Sequence, residues 1–405
     1  MDKSGYDIIV VGGGVAGLTA TAALGVLGFK VLCLESTEFR SQTKNSAQDI
    51  RSTAFLRGSV DLLKEIGIWE SVVGESHELK TMCIADCGGV DGAIRQQINF
   101  NSSEVSLPDF GYNVPNAVAK RALVDRIDSL KNCKLLFGLE VINAVTQIDK
   151  VFLILSDNNF VSAKLVVAAD GSRSKVRELT GVKTFTNENN QYAIACVVSH
   201  EKPHDGTSVE LLKSGGPCTL VPMKSVKGKK NRSAVVWMET KKLAYQLVSS
   251  SVERFSSEIS KRTDYVFGEC TLISQRSLYP ITTQIARKFY AHRTALIAEA
   301  AHVMPPIGAQ GLNTSLEDII ILKDLLTHAL ATGADIGSDS LLKKYNRNRQ
   351  KTLIPRVTGI HLLNNASKSN FQPVKDLRMN ALKWLDNSKT ARQFLIKTGL
   401  GKPFF

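Results

Sequence analysis

The sequence begins with an apolar run, a glycine turn and a stretch of small residues. Residues 7–11, Asp-Ile-Ile-Val-Val, are rich in β-branched side chains, which favour a strand covered on both faces. Gly12-Gly13-Gly14-Val15-Ala16-Gly17 follows at once, and residues 18–27 have the composition of a helix. Residues 30–34 then read as a second buried strand that ends at Glu35. The pattern predicts a β-α-β unit.

The glycines of this unit have the spacing G-x-G-x-x-G. One glycine permits the turn, one lets the backbone approach a pyrophosphate, and one lets the helix pack against the strand. The helix N-terminus adds free N–H groups and the positive end of the helix dipole. Glu35 stands where a carboxylate accepts hydrogen bonds from an adenosine ribose. The unit predicts a dinucleotide site, and the motif alone does not separate FAD from NAD. The candidate contacts are Gly12, Gly14, Ala16, Gly17, Glu35 and Ser36.

Further along the chain, apolar and polar positions alternate. The runs Tyr192–Ser199, Ser208–Lys213 and Ser233–Glu239 predict an antiparallel sheet. Residues 164–177 predict a strand, a turn with the sequence Asp170-Gly171 and the start of a helix. Taken alone, this stretch also fits a generic turn in which Asp170 or Ser172 caps the helix.

Composition restricts the class of protein and draws attention to the C-terminal part of the sequence. The chain has 405 residues, 22% of them charged, which excludes disordered, collagen-like and disulfide-scaffold proteins. The net charge is +13, and residues 341–405 carry 14 Lys and Arg against two Asp. The remainder is close to neutral. Such a charge suits nucleic acid, an anionic membrane surface or simply a basic enzyme, and we expect no nucleic-acid partner because no binding motif accompanies it.

Cysteine and histidine patterns give no metal signal. The seven cysteines are scattered without C-x-x-C spacing, so we expect buried thiols in a reducing cytosol. Residues 200–204 spell H-E-x-x-H, but Pro203 is incompatible with the helix that such a zinc site requires. Residues 8–29 lack charge, yet the β-α-β unit explains them. We therefore expect no transmembrane segment and no cleaved signal.

Taken in order, the motifs resemble the ubiquinone-biosynthesis hydroxylases, of which 2-octaprenyl-6-methoxyphenol hydroxylases are members. These are FAD-dependent aromatic monooxygenases of the p-hydroxybenzoate hydroxylase fold. The resemblance extends over nearly the whole chain. It is carried by the glycine turn, Asp170-Gly171 with Ser174 and Arg177, residues 293–302, residues 305–313, Asp49–Leu56, Gly111–Val114, Arg121–Leu123, Gly216-Pro217, Val221-Pro222 and Val235–Trp237.

The resemblance implies an α/β fold with a Rossmann-like FAD-binding domain. That domain would be discontinuous, formed by residues 1–75, 111–182 and 275–335. Residues 76–110 and 183–274 would form an antiparallel-sheet substrate domain. Residues 336–405 would form a basic helical region.

The resemblance also assigns roles to residues. Arg51 would contact the FAD pyrophosphate, Arg121 the phosphate or ribityl region, and Val141 the adenine through its backbone. Ordinary surface arginines and a core valine are the alternatives. Glu299 would hold the ribityl chain, although Ala298-Glu299 replaces the Gly-Asp of the family. No side chain is identified as catalytic. The remaining predicted cofactor contacts are Asp170, Pro306, Gly308, Gly311, Leu312 and Asn313, the last few beginning a helix aimed at flavin N1 and O2.

The function implied is hydroxylation of the ring of a polyprenylated phenol. Reduced FAD would react with O2 to a C4a-hydroperoxide, with electrons from NAD(P)H or a partner reductase. The alternatives are a related oxidase or reductase acting on another lipid, and an FAD-bound non-catalytic subunit of a quinone-biosynthesis complex. We expect a location in the bacterial cytoplasm, peripheral to the inner face of the cytoplasmic membrane.

Residues 370–405 are the candidate membrane contact. Val374, Leu377, Ala381, Trp384 and Leu385 recur at helical spacing among basic residues. Two arrangements fit this pattern. In one, the helix lies on anionic lipid; in the other, its apolar side covers the protein core.

Overall fold

The computed structural model describes residues 5–38, 49–226, 228 and 231–400, which form two large sheets, a small sheet and flanking helices. The strands are β1 (Tyr6–Val11), β2 (Val31–Glu35), β3 (Ser52–Leu56), β4 (His77–Leu79), β5 (Thr81–Asp86), β6 (Gln96–Asn101), β7 (Gly111–Pro115), β8 (Cys133–Phe137), β9 (Val141–Thr146), β10 (Val151–Leu155), β11 (Phe160–Ala168), β12 (Thr184–His200), β13 (Thr207–Lys213), β14 (Gly216–Met223), β15 (Arg232–Thr240), β16 (Cys270–Leu272), β17 (Ser277–Ala286), β18 (Tyr290–Ala291), β19 (Thr294–Leu296) and β20 (His302–Val303). The helices are α1 (Val15–Val26), α2 (Arg57–Glu65), α3 (Trp69–Val73), α4 (Asn116–Ser129), α5 (Lys175–Leu179), α6 (Lys241–Ser249), α7 (Val252–Arg262), α8 (Gln310–Thr332), α9 (Asp339–Lys368), α10 (Gln372–Asn387) and α11 (Lys389–Gly399).

The first sheet has eight strands, and its central path runs β18-β19-β11-β1-β2-β8. The strands β1, β2, β8, β11 and β19 are mutually parallel, and the β9–β10 hairpin extends the sheet beside β11. Ile8, Ile9 and Val10 are completely buried, which is why this strand is apolar at every position rather than alternating. The β-α-β unit read from the sequence is therefore present, with β1 next to β2.

The second sheet has nine strands in the order β20-β17-β12-β15-β14-β13-β5-β6, with β16 beside β12. Its pairs are antiparallel except β13 with β5. One face packs under α6 and α7 around Cys218, Leu220 and Trp237. The alternate residues, such as Thr219, point to the opposite face, because successive side chains of a strand leave the sheet on opposite sides.

The strand β17 belongs to this nine-stranded sheet, where it pairs with β12 from Thr184 to Ala195. The sequence placed residues 275–335 in the FAD-binding part, and this division into domains stays a prediction. A small third sheet has three strands in the order β3-β7-β4. Along the chain, these strands come between strands of the two large sheets.

The C-terminal helices contact the nine-stranded sheet and the segment before β7. The helix α9 contacts β13 and β14, and α10 contacts β5 and β6. Leu382 of α10 and Ile396 of α11 are buried in a cluster with Ile98, Phe100 and Phe110, which we call the C-terminal cluster. In the part of the chain that the structure describes, no helix combines the length and the apolar character needed to cross a bilayer.

Candidate active site

The three glycines of the first turn differ in what surrounds them. Gly12 has a φ of +112°, and a Cβ there would lie 2.3 Å from the carbonyl oxygen of Ala169. A Cβ on Gly17 would lie 1.8 Å from the carbonyl oxygen of Gly12. At Gly14, by contrast, a Cβ would have no described atom within 4 Å. Gly12 and Gly17 are thus required for packing, whereas Gly14 borders open space where a ligand can reach the backbone.

The helix α1 begins at this open space without protection from a side chain. No described residue caps its N-terminus, and its first turn contains no acidic side chain. The first N–H groups of an α-helix have no intrahelical partner, and the dipole makes that end positive. The turn and the helix end therefore fit a pyrophosphate, as the sequence predicts.

Glu35 ends β2 beside the same turn. Its carboxylate accepts hydrogen bonds from the N–H of Gly13 at 2.5 Å and of Thr37 at 2.8 Å, and from the hydroxyl of Ser36 at 3.3 Å. The N–H of Leu139 donates to the Glu35 carbonyl oxygen, two residues before buried Val141 at the start of β9. Glu35, Ser36 and Val141 thus lie at one end of the predicted nucleotide site.

The Asp170 turn crosses directly over Gly12. The backbone nitrogen of Asp170 is 2.9 Å from the position that a Gly12 Cβ would take. The carboxylate of Asp170 accepts from the Ser174 hydroxyl at 2.5 Å and from the N–H of Val176 at 3.0 Å. These bonds cap α5, so the Asp170 side chain does what the capping alternative expects. The close crossing at Gly12 brings the Asp170-Gly171 motif to the nucleotide turn.

A third group joins Arg51 to the Glu299 segment. Arg51 donates to the Asp49 carboxylate at 2.8 and 2.9 Å, and its guanidinium lies 5.2 Å from the ring centroid of Tyr279. The hydrogen bond from Arg51 to Asp49 raises the pKa of Arg51, and Tyr279 and Glu299 add to this rise electrostatically. Arg51 and Glu299 are both exposed and act on each other electrostatically. Arg121 is exposed on α4, which packs against α1.

The residue before Glu299 has an unusual backbone conformation. Ala298 has a φ of +53°, in the left-handed region that favours the glycine of the family. Its N–H donates to the buried Asp318 carboxylate at 2.8 Å, which also accepts from His302 at 2.7 Å and from Arg349 at 2.5 Å. Burial alone would raise the pKa of Asp318, but the charges of His302 and Arg349 outweigh it and leave the pKa lowered. His302 is thus part of a buried clamp on this turn.

The last motif forms a left-handed turn into α8. Gly308 and Ala309 have φ of +60° and +56°, and in the described part of the chain no side chain caps α8 and no acid lies in its first turn. Partly exposed Gly311 and Leu312 begin the helix, so their N–H groups are available to a ligand with negative charge. Pro306, in the same turn, is partly exposed as well.

The Asn313 side chain is fully used inside the protein. Its oxygen accepts from the N–H of Leu56 at 2.8 Å and the hydroxyl of Ser59 at 2.7 Å. Its amide nitrogen donates to the carbonyl oxygens of Ala54 at 2.7 Å and Ala309 at 2.6 Å. Asn313 therefore fixes the start of α8 on β3 and α2, and its backbone is what it can offer to a cofactor.

The sequence did not single out Glu210, a buried carboxylate at this turn. Glu210 is 8% exposed on β13 and accepts from the N–H of Gly308 at 3.1 Å. Burial raises its pKa to about 7, partly offset by the Gly308 N–H. The available signal was an acid between Val209 and Leu211 in a strand whose neighbours are apolar.

Comparison with known proteins identifies the family. Residues 5–355 match the family described as FAD binding domain. The chain is 33% identical over 344 residues to the ubiquinone hydroxylase UbiL of Rhodospirillum rubrum, covering 85% of this chain and 77% of that protein. The chain belongs to the FAD-dependent hydroxylases of ubiquinone biosynthesis. This confirms the resemblance read from the sequence, the FAD cofactor and the aromatic-ring monooxygenase class of the enzyme.

Other matches support the same family and fold. The 3-demethoxyubiquinol 3-hydroxylase of Escherichia coli is 25% identical over 410 residues, covering 99% of this chain and all of the relative. The crystal structure of p-nitrophenol 4-monooxygenase PnpA from Pseudomonas putida superposes with a TM-score of 0.78 at 18% identity, covering 99% of both chains. The predicted fold class is confirmed.

The metal-like pattern at residues 200–204 holds no metal cluster. Among the described residues, no group of three or more His, Cys, Asp or Glu side chains could hold a metal ion. His200 lies at the end of β12 and stacks on Phe267, while His204 packs edge-on against His77. The cysteines are unpaired, and all but Cys133 are buried.

Proposed function

We propose that this hydroxylase adds a hydroxyl group to the aromatic ring of a polyprenylated phenol in ubiquinone biosynthesis. The proposal rests on one structural observation together with the relatives. The uncapped start of α8 faces the nine-stranded sheet at a point where central strands carry partly exposed side chains, namely Thr219, Val221 and Val236. The proposed overall reaction consumes the phenol, O2 and a reduced nicotinamide, and yields the hydroxylated phenol, water and the oxidised nicotinamide.

The residues present fit FAD. The turn at Gly14 and the start of α1 would hold the pyrophosphate, Glu35 the ribose, and the start of α8 the negative charge of the reduced ring system. When bound, FAD supplies the activation of dioxygen. The protein binds and orients the phenol, keeps water from the reacting centre and controls the phenol proton.

The C-terminal cluster offers an apolar route for a prenyl chain. Ala309, in the left-handed turn that precedes α8, packs against this cluster together with Ile84 and Val221 of the nine-stranded sheet. The cluster continues to Leu382 and Ile396 on α10 and α11. Burial of apolar surface stabilises by about 25 cal/mol per Å², so a prenyl tail gains affinity along such a path.

The outer surface of α10 and α11 supports contact with an anionic bilayer. Leu377, Trp384 and Phe394 are 70, 63 and 55% exposed. Lysines 383, 389 and 397 are exposed on the same two helices. Apolar side chains mixed with lysines are typical of helices at the surface of negatively charged membranes. A peripheral position on the inner face of the cytoplasmic membrane would bring the enzyme to a lipid-soluble substrate.

Deletion of the gene in its native host tests this function. We expect a prenylated phenol that lacks one ring hydroxyl to accumulate while ubiquinone falls. The wild-type gene should restore ubiquinone, whereas Gly14→Ala, which obstructs the nucleotide turn, should not. Normal ubiquinone with no accumulated phenol in the deletion strain would overturn the proposal.

A further inference from the structure

We propose that Glu210 binds the hydroxyl group of the aromatic substrate and accepts its proton during ring hydroxylation. This proposal rests on the proposed function and names a residue that contacts the substrate. It is carried by the position of Glu210 on the sheet, by its hydrogen bond to the turn of α8 and by the apolar side chains around it.

Glu210 lies in the middle of a row of side chains on one face of the nine-stranded sheet. Residues paired across neighbouring strands project to the same side. The pairings therefore place six side chains on one line, in the order Ala195, Val236, Thr219, Glu210, Ile84 and Ile98. Glu210 is the ionisable member of this row.

The turn at Gly308 and Ala309, which precedes α8, lies against this face of the sheet. The carboxylate oxygen Oε2 of Glu210 accepts from the N–H of Gly308, two residues before α8 begins. The helix α9 packs on the same face of the sheet. Its Asn364 donates to Gln191 of β12. Gln191 lies four residues before Ala195 on this strand, so the two side chains point to the same side. An aromatic ring that lies along the row beside the turn would therefore have one carboxylate within reach.

Besides its hydrogen bond to Gly308, Glu210 has partly exposed neighbours along the row. Val236, Thr219 and Ile84 are partly exposed although their strands are central in the sheet, so this face is not fully covered along the row. The N–H of Gly308 bonds to Oε2 of Glu210, so Oε1 is the oxygen that a ligand would meet. A buried acid retained among apolar neighbours costs stability, which is commonly offset by a role in binding or catalysis.

The proposed step balances protons and electrons. The phenol O–H bond breaks as its proton passes to Glu210, and the electron pair left on oxygen moves into the ring. The activated ring carbon then forms a bond to one oxygen atom of dioxygen, whose O–O bond breaks; the reduced nicotinamide supplies the two electrons, and the second oxygen atom leaves as water. That carbon then loses its hydrogen as a proton, aromaticity returns, and Glu210 gives its proton back to the original ring oxygen.

The protonation state of Glu210 suits this step. Its pKa of about 7 means that the carboxylate form, which accepts a proton, predominates above that pH. Asp86, two residues along the same face, is held by Arg95 and by Arg378. The helices packed against β13 and β5 are α9 and α10, and their titratable side chains include His361, Lys368, Lys375 and Asp376.

The first test measures binding to the oxidised, FAD-loaded enzyme. The probes are a phenol with one short prenyl group and its methyl ether, detected by their effect on the flavin absorbance. A hydrogen bond to a charged group contributes about 1.5–3 kcal/mol, so wild type should prefer the phenol at least about tenfold. Glu210→Leu should remove this preference while FAD content stays unchanged. An equal preference in Glu210→Leu would overturn the proposal.

The second test separates proton transfer from support of the turn. Glu210→Gln retains an oxygen that can accept from Gly308, so a supporting role predicts wild-type turnover. Proton acceptance predicts turnover lowered about 100-fold and loss of the rise in rate through pH 7. Glu258→Gln, a half-exposed acid on α7, is the control and should match wild type. Wild-type turnover and an unchanged pH profile in Glu210→Gln would refute the proposal.

The two tests also separate this inference from the proposed function. If wild type prefers the phenol but hydroxylates no prenylated phenol, the proposed function fails and the binding role of Glu210 stands. If wild type hydroxylates the phenol and both variants behave like wild type, the proposed function stands and the role of Glu210 fails.

Discussion

In the first turn, glycine is required at two positions for packing and at a third so that a ligand can reach the backbone. Gly12 and Gly17 each lie against backbone, so a side chain there collides with the fold itself. Gly14 faces open space, so its lack of a side chain matters only when a ligand occupies that space. The same motif therefore contains positions that stability and cofactor binding constrain separately.

This difference predicts opposite behaviour for two substitutions. Gly14→Ala should fold with wild-type stability but bind FAD at least about tenfold more weakly, a loss of about 1.4 kcal/mol. Gly17→Ala should lose about 2 kcal/mol or more of unfolding free energy, because its Cβ overpacks the turn. Flavin titration and denaturant unfolding measure the two effects. Gly359→Ala, in α9 with open surroundings, is the control and should retain FAD; tight FAD binding by Gly14→Ala would contradict this account.

Asp318 shows how a buried charge holds the turn at Ala298-Glu299. It is completely buried and binds Arg349, His302 and the N–H of Ala298. Ala298 is in a left-handed conformation that costs a non-glycine residue about 1–2 kcal/mol. The clamp therefore keeps a strained turn in place where the family has glycine.

Asp318→Asn should lower the unfolding free energy by about 3–5 kcal/mol, since it leaves Arg349 buried with less compensation. Because the folded pKa of Asp318 is lowered, its contribution is complete above the unfolded value near 3.9 and is lost as pH falls toward the folded pKa. Denaturant unfolding across this acid range should show a smaller pH dependence in the variant. Asp324→Asn, exposed on the same helix, is the control; equal stability of Asp318→Asn and wild type would contradict the clamp.

At the residue scale, motifs with fixed spacing could be predicted and long-range contacts could not. The glycines, Glu35 and the turn before α8 could be predicted because each belongs to a motif with a recognisable local spacing. Asn313 was predicted to serve the cofactor, yet its side chain binds residues more than 250 positions away. Glu210 escaped prediction for the same reason, since its partner Gly308 lies on another element.

At the element scale, the C-terminal helices have an unexpected orientation. The predicted stripe of Val374, Leu377, Ala381, Trp384 and Leu385 fitted either a lipid-facing or a core-facing side. Leu377, Ala381 and Trp384 are exposed, whereas Val374 and Leu385 are partly buried and Leu385 packs against the C-terminal cluster. The inner side of α10 is formed by Arg378 and Leu382 instead. Arg378 binds buried Asp86, and Arg392 of α11 binds Glu104 at 2.6 Å. Arginines anchor these helices to the enzyme while apolar side chains remain outside.

This orientation predicts that two apolar residues carry membrane binding. Leu377→Glu combined with Trp384→Glu should weaken sedimentation with phosphatidylglycerol vesicles about 100-fold, because each buried apolar side chain contributes about 1.5–3 kcal/mol. Full-length protein should be used, since removing 370–405 also uncovers the C-terminal cluster. Ile148→Glu, at an exposed apolar position distant in the chain, is the control. Unchanged sedimentation of the double variant would exclude this surface.

Strand membership was less predictable than strand existence. The alternating runs that form β12, β13 and β15 were recognised from their period of two. The assignment of β17 to the nine-stranded sheet depends on pairing with β12, nearly a hundred residues earlier. No local pattern contains that information.

At the scale of the whole molecule, the arginines and the lysines of residues 341–405 have different roles. Of the arginines in residues 341–405, Arg349, Arg356, Arg378 and Arg392 form ion pairs with acids elsewhere in the chain. Most lysines of α10 and α11 are exposed instead. The arginines therefore attach the region to a nearly neutral enzyme, and the lysines give its outer surface a positive charge.

The two large sheets meet at the proposed reaction site. The eight-stranded sheet presents the nucleotide turn, and the nine-stranded sheet presents Glu210 opposite the start of α8. Segments that supply both sheets alternate along the chain, so neither sheet is formed by one continuous piece of sequence. Cofactor and ring sites are consequently fixed relative to each other by the same chain crossings.

The most direct test of the central claim follows heavy-isotope dioxygen into the product. Purified FAD-loaded enzyme, NAD(P)H or a flavin reductant, and a short-chain prenylated phenol are incubated under labelled O2. The account predicts one labelled oxygen on the aromatic ring for each phenol hydroxylated. Consumption of the reductant and O2 with no labelled phenol in the product would contradict it.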